Sequence, residues 1–349
     1  MELVRPADSV ECHPSINGLM TVGTYLIDQQ HTEEYKERRT GTLYLFDVQQ
    51  QQDGDKVGTH KLNVVQTIDF NAGVLDMKWS RYQQTQPMLA VVLSRGDLCL
   101  YQLEDEEAKM KLTLTGSERV SQSDGVLTLS CDWSAKIAEQ GSPYRLITSF
   151  SDGTVSLIEA TPSSIQTTSN WQAHDYEAWI AAFNYHNDAI VFSGGDDGTW
   201  KVWDQRGSLD APTSTKRFDM GVTSIHCNPH LENIVAVGSY DERLRIFDLR
   251  QLRAPLSTTH SLGSGVWRVK WHPSSQHQNQ LVTACMGGGF HIIEYTENNF
   301  TQPTIKQSYM GPHQSIAYGV DWSASTGADQ YIGCCSFYDK VLSIWNPNE

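Results

Sequence analysis

AIVFSGGDDGTWKVWDQR, residues 189–206, is the stretch whose reading decides the fold. Its apolar run, residues 189–192, reads as a strand, and residues 194–198 read as a tight turn rich in glycine and aspartate. Trp200, Val202 and Trp203 alternating with Thr199 and Lys201 read as a second strand. The stretch is therefore a β-hairpin, and the rest of the chain is read by searching outward for the same pattern.

Each repeat of the pattern starts with a short apolar strand ending in an aromatic or Cys, followed by Ser, His or Pro, and continues into a hairpin. Seven such units span residues 7–48, 73–103, 125–160, 178–206, 221–250, 265–295 and 316–347. Their spacing of about 40–45 residues and the Trp203-Asp204 pair that ends the hairpin of the fourth unit resemble the WD40 repeat family. That resemblance implies an all-β fold, a seven-bladed WD40 β-propeller made of residues 1–349 as a single domain. The last unit ends too early for an outer strand. Residues 2–6 are expected to complete that blade, because pairing the two termini hides two sheet edges. Residues 28–40, DQQHTEEYKERRT, read as a charged insertion forming a mobile loop. Residues 49–60 read as a Gln-rich linker and residues 104–107 as an exposed acidic connector.

In WD40 blades a His, a Ser or Thr, the turn Asp and a Trp form a buried hydrogen-bond chain. The resemblance places His174, Ser193, Asp197 and Trp203 in those roles, which would make His174 a satisfied core group. The last blade offers His313, Asp339 and Trp345, with Cys335 where the hydroxyl is expected. The fifth blade keeps Asp241 but has Val237 and Phe247 in place of its partners, which leaves Asp241 and its neighbours Tyr240, Glu242 and Arg243 without that structural role. The glycine run 286–289 replaces the polar turn of the sixth, and suits either a close approach or a plain hairpin.

The chain has 26 Lys plus Arg against 41 Asp plus Glu, a net charge of −15, and a pI near 5.2. Neutralising phosphates takes clustered cations, so nucleic acid and anionic membrane are poor partners, and a basic protein or a cationic ligand is the better expectation. The seven cysteines form no CxxC pair and fall mostly in apolar runs, as expected for reduced, buried thiols without zinc. No stretch has signal-peptide or membrane-span character. A cytoplasmic monomer is expected.

Several stretches narrow the resemblance: HDYEAWIAAFNY (residues 174–185), MGVTSIHCNP (220–229), GSYDERLRIFDLR (238–250), GVWRVKWHP (265–273) and AYGVDW (317–322). Together they resemble the WD-repeat family of diphthine methyl ester hydrolases, which carry the name diphthine methyltransferase. The resemblance is close over blades four to seven, and ADSVE (residues 7–11) agrees with the family's start. It implies demethylation of methylated diphthine, a modified histidine on translation elongation factor 2, ahead of the final amidation in diphthamide biosynthesis. It makes that factor the partner; the sequence itself offers no cofactor motif and no metal-ligand set, and leaves open whether a metal takes part.

The sequence lacks a G-x-S-x-G elbow and an H-E-x-x-H helix, so an esterase site must be assembled from loops on one face of the ring. Diphthine carries a quaternary ammonium, which aromatic faces attract by about 0.5–2 kcal/mol each. Trp179, Trp267 and Tyr318, near the starts of three inner strands, are the candidate cage, or else they pack the channel mouth. Tyr240 and Asp241 are further candidates for binding substrate. For water activation the candidates are Glu177, Asp175 and His174. Arg268, or the amides of residues 263–265, would stabilise the oxyanion. In structural terms Arg268 could instead pair with Glu177 or Asp241. A covalent route through Ser264, Ser239 or Cys285 has no obvious adjacent base. The competing class is a non-enzymatic scaffold. VWDQR (202–206) and IFDLR (246–250) resemble the W-D-x-R box of cullin-4 ubiquitin ligase receptors, in which Arg206 and Arg250 would face the ligase adaptor.

Overall fold

The computed structural model describes residues 1–28, 38–50, 60–80, 87–106, 109–134, 143–161, 164–296, 299–327 and 329–348. Most of the insertion at 28–40 and of the linker at 49–60 lies outside them. The described residues form seven antiparallel sheets, six of four strands and one of three, each running in chain order from the axis to the rim. They close into a seven-bladed β-propeller.

The innermost strands are Ala7–Cys12, Val74–Trp79, Thr128–Trp133, Ile180–Phe183, Val222–Cys227, Arg268–Trp271 and Ala317–Trp322. Each packs on the next around the axis, and the seventh packs on the first. Side chains tie neighbouring strands together through backbone amides. Cys131 N–H donates to Asp76 at 3.1 Å, Ala181 N–H to Ser130 at 2.9 Å and Phe183 N–H to Asp132 at 2.9 Å. Val269 N–H donates to Ser224 at 3.0 Å, Trp271 N–H to His226 at 2.9 Å and Cys12 N–H to Asp321 at 2.9 Å. The apolar core is divided into seven clusters, each lying in the seam between two blades.

The N-terminus lies along the open edge of the last blade, but residues 1–3 rather than 2–6 pair there, through a single bridge, and Pro6 O already accepts from Tyr25 N–H of the first blade. Glu2 pairs antiparallel with Val341, Leu3 N–H donates to Lys340 O at 2.8 Å and Leu342 N–H to Met1 O at 2.9 Å. Leu3 is buried beside Tyr331, Cys335 and Leu342.

The structure departs from the sequence reading where strands are long and polar. Arg38–Gln50 and His60–Phe70 take both ends of the supposed linker, and Asp97–Glu106 runs through most of the supposed acidic connector. Strands such as His60–Phe70 are partly or fully exposed along their length, so they lack the apolar alternation that marks a half-buried strand.

In the fourth blade His174 Nε2 meets Ser193 Oγ at 2.8 Å, His174 Nδ1 meets Asp197 at 3.0 Å, and Trp203 Nε1 donates to Ser193 Oγ at 2.9 Å. Gly195 lies against the imidazole, where a Cβ would come within 2.5 Å of the ring. The last blade corrects the assignment of Cys335. Cys334, not Cys335, pairs across from Ser343 as Ser193 pairs across from Lys201. His313 meets Cys334 Sγ at 3.7 Å and is bonded more closely by Ser336 at 2.6 Å and Ser343 at 2.7 Å. Burial holds the His313 ring down to about 4.

Candidate functional site

Aligning the inner-strand motifs on their last residue gives ADSVEC, VLDMKW, TLSCDW, AWIAAF, VTSIHC, VWRVKW and AYGVDW. Their second residues are Asp8, Leu75, Leu129, Trp179, Thr223, Trp267 and Tyr318, and all seven line one cavity of about 320 Å³ at the mouth of the ring. In five of the strands local irregularity aims that residue. The ladder to the second strand skips Asp8, Leu75, Leu129, Thr223 and Tyr318. Skipped residues of this kind form β-bulges, which redirect a side chain out of the pleat.

Tyr25, Ile27, Arg39, Leu127, Ser151, Glu177, Tyr240 and Arg268 complete the lining. Trp267 is the centre of an aromatic wall, with Tyr318 stacked on it at 4.6 Å between centroids, Trp179 edge-on at 5.7 Å and Tyr240 tilted at 6.0 Å. Trp179 Nε1 donates to Asp196 at 3.0 Å, which fixes its ring. Glu177 is half-buried at the rim.

Arg268 is buried beside the aromatic wall. Its ion pair is with Asp76, at 3.3 Å, rather than with Glu177 or Asp241. Asp76 also pairs with Lys78 at 2.9 Å, and Lys78 with Glu11 at 2.9 Å. Glu11 pairs in turn with Lys270. The guanidinium and the ammonium hold the Asp76 carboxyl below its ordinary value despite complete burial. This chain of charges fills the waist of the channel and anchors Arg268 from below.

The remaining candidates lie elsewhere. His174 is buried in the blade-four hydrogen-bond chain. Asp175 lines a separate depression with Asp197, Lys201 and Arg217. Asp241 does not line the cavity and pairs with Arg245 at 2.7 Å. That salt bridge supplies a structural role that the sequence reading denied it. Cys285 is buried, and burial pushes its thiol up to about 12, far from a reactive thiolate. Arg206 and Arg250 fold back onto Asp204 at 2.6 Å and Asp248 at 2.7 Å.

Sequence reasoning missed Asp8, which is 4 % exposed. Burial pushes its carboxyl well above the ordinary value, against the pull of Arg268 and with Asp76 adding to the rise. The signal was present: ADSVEC aligns with AYGVDW, so Asp8 occupies the position that Tyr318 holds.

The WD domain, G-beta repeat family matches residues 165–204. A chain in the crystal structure of the mitotic checkpoint complex superposes with a TM-score of 0.65 at 17 % identity, over 99 % of this chain and 93 % of that one. That likeness shows the fold alone. A Dictyostelium discoideum protein named diphthine methyltransferase homolog is 50 % identical, over 98 % of this chain and 96 % of its own length. The Homo sapiens diphthine methyltransferase is 37 % identical, over 91 % of this chain and 72 % of its own. Identity at that level along almost the whole ring is family membership: this chain belongs to the diphthine methyltransferase family.

Proposed function

We propose that this protein is a carboxyl methyl ester hydrolase that demethylates methylated diphthine on translation elongation factor 2, a late step of diphthamide biosynthesis. The names of its relatives support a role in that pathway. The observation that carries the hydrolase reading is one cavity that combines the Trp267 aromatic wall, the Glu177 and Asp8 carboxyls, and the Arg268 guanidinium.

In this reading the quaternary ammonium lies against Trp267, Trp179 and Tyr240, where the ring faces attract it and Glu177 supplies counter-charge. The ester carbonyl points down toward Arg268. A tetrahedral intermediate places negative charge on that oxygen, and a guanidinium already fixed by Asp76 stabilises it without having to reorganise. Elongation factor 2 is then the protein partner, met at this mouth of the ring.

The test is methanol release from full-length elongation factor 2 carrying methylated diphthine, with no methyl donor added. Methanol and a free carboxylate support hydrolysis. Incorporation of methyl from S-adenosylmethionine, without methanol release, overturns it. The scaffold reading predicts instead that a cullin-4 adaptor co-purifies and is lost with Arg206→Ala or Arg250→Ala.

A further inference from the structure

The geometry points to Asp8 as the general base of this site, the group that takes the proton from the attacking water. The inference rests on the hydrolase reading above and deepens it. Of the seven equivalent positions around the mouth, six hold Leu75, Leu129, Trp179, Thr223, Trp267 and Tyr318, none of which carries a carboxyl. Asp8 is the exception, and the ladder skips it between Ala7 and Ser9, so a bulge turns it into the cavity. No hydrogen bond from the described residues ends on its carboxyl, which leaves both oxygens open to a proton from water. Glu177 is half-buried at the rim, where it suits a counter-charge better than a base.

The step balances with water alone. Asp8 carboxylate takes one proton from water as the water oxygen bonds to the ester carbon, and Arg268 holds the resulting oxyanion. Collapse breaks the bond from carbon to methoxy oxygen, and the leaving methoxide takes the proton back from Asp8 as methanol. The acid product loses its proton to solvent, and Asp8 is returned as carboxylate.

The groups facing Asp8 are Arg268 from the sixth blade, Asp76 and Lys78 from the second, Tyr25 from its own blade, and Tyr318 and Cys335 from the seventh. Burial outweighs the cations among them and raises the carboxyl, which strengthens it as a base. Activity is therefore lost as pH falls through this raised value, above the usual carboxylate range.

The experiment compares wild type, Asp8→Asn and Asp8→Glu in steady-state methanol release from full-length methylated elongation factor 2, across pH. For Asp8→Asn the expected result is a fall in kcat of about 100-fold or more, with KM little changed. Asp8→Glu should recover part of the activity with a displaced acid limb. A folded Asp8→Asn protein with wild-type kcat overturns the assignment, as does a wild-type profile with no acid limb above the usual carboxylate range. Absence of wild-type turnover strikes the hydrolase reading itself, and so is distinguishable from failure of the Asp8 assignment.

Discussion

The Ser193 hydroxyl serves two buried neighbours at once. Asp197 on Nδ1 fixes the proton of His174 at that nitrogen, so Nε2 accepts from Ser193 O–H while Ser193 Oγ accepts from Trp203 Nε1. Removing the hydroxyl strands an acceptor and a donor, and a buried unsatisfied group costs about 1–3 kcal/mol. Ser193→Ala should lower the unfolding free energy by about 2–4 kcal/mol, as read by urea denaturation followed through tryptophan fluorescence. A midpoint equal to wild type would remove this account. This chain was legible in the sequence because the WD40 resemblance carries its residue types onto His174, Ser193, Asp197 and Trp203. The ion pairs of Arg268 and Asp241 were not, because the acid that Arg268 takes is set by closure of the ring and the base that Asp241 takes, Arg245, by its local turn. Asp76, 192 positions away in sequence, pairs with Arg268 only because the second and sixth blades face one another across the axis.

At the scale of the element, the inner hairpin turns share a left-handed residue near the turn's end. Gly96, Gly153, Gly198 and Gly289 fill it in four blades at φ of 85°, 82°, 68° and 84°. Glu242 and Lys340 fill it in two others at 68° and 59°. A side chain costs about 1–2 kcal/mol in that conformation, while glycine loses about 0.5–1 kcal/mol more in chain entropy on folding. Lys340→Gly should therefore stabilise the last blade by up to about 1 kcal/mol. The check is a small rise in melting temperature; a fall would show that the lysine side chain contributes more than its backbone strain costs. The inner hairpins were readable because their apolar residues face two seams. Outer strands such as Lys109–Arg119, largely exposed in the structure, carry too little pattern to be placed in advance. The cavity became readable only once seven inner strands were set in common register, since no single strand contains more than one or two of its side chains.

For the whole molecule, stability depends on seven seams and one join. Every seam but the last joins blades made of consecutive chain, so local folding brings them together. The seventh seam packs Leu3, Ala7, Val10, Met20 and Phe46 from the start of the chain against Tyr331, Cys335 and Leu342 near its end. Its closing strand is only the pairing of Met1 to Leu3 with Lys340 to Leu342. The Met1 amino group adds a further bond to Leu342 O at 2.7 Å. Three hydrogen bonds at about 1 kcal/mol each and burial of one leucine at about 2 kcal/mol give the join roughly 5 kcal/mol. Deleting residues 1–6 should lower the unfolding free energy by about that amount, and should expose the edge of Leu342–Trp345 to pairing with other chains. Thermal unfolding with light scattering reads both effects: an earlier transition and aggregation that rises with concentration. A truncated protein that melts with wild type and stays monomeric would mean that the ring is held shut by the inner strands alone, through the bond of Cys12 N–H to Asp321 and the packing of the seventh seam.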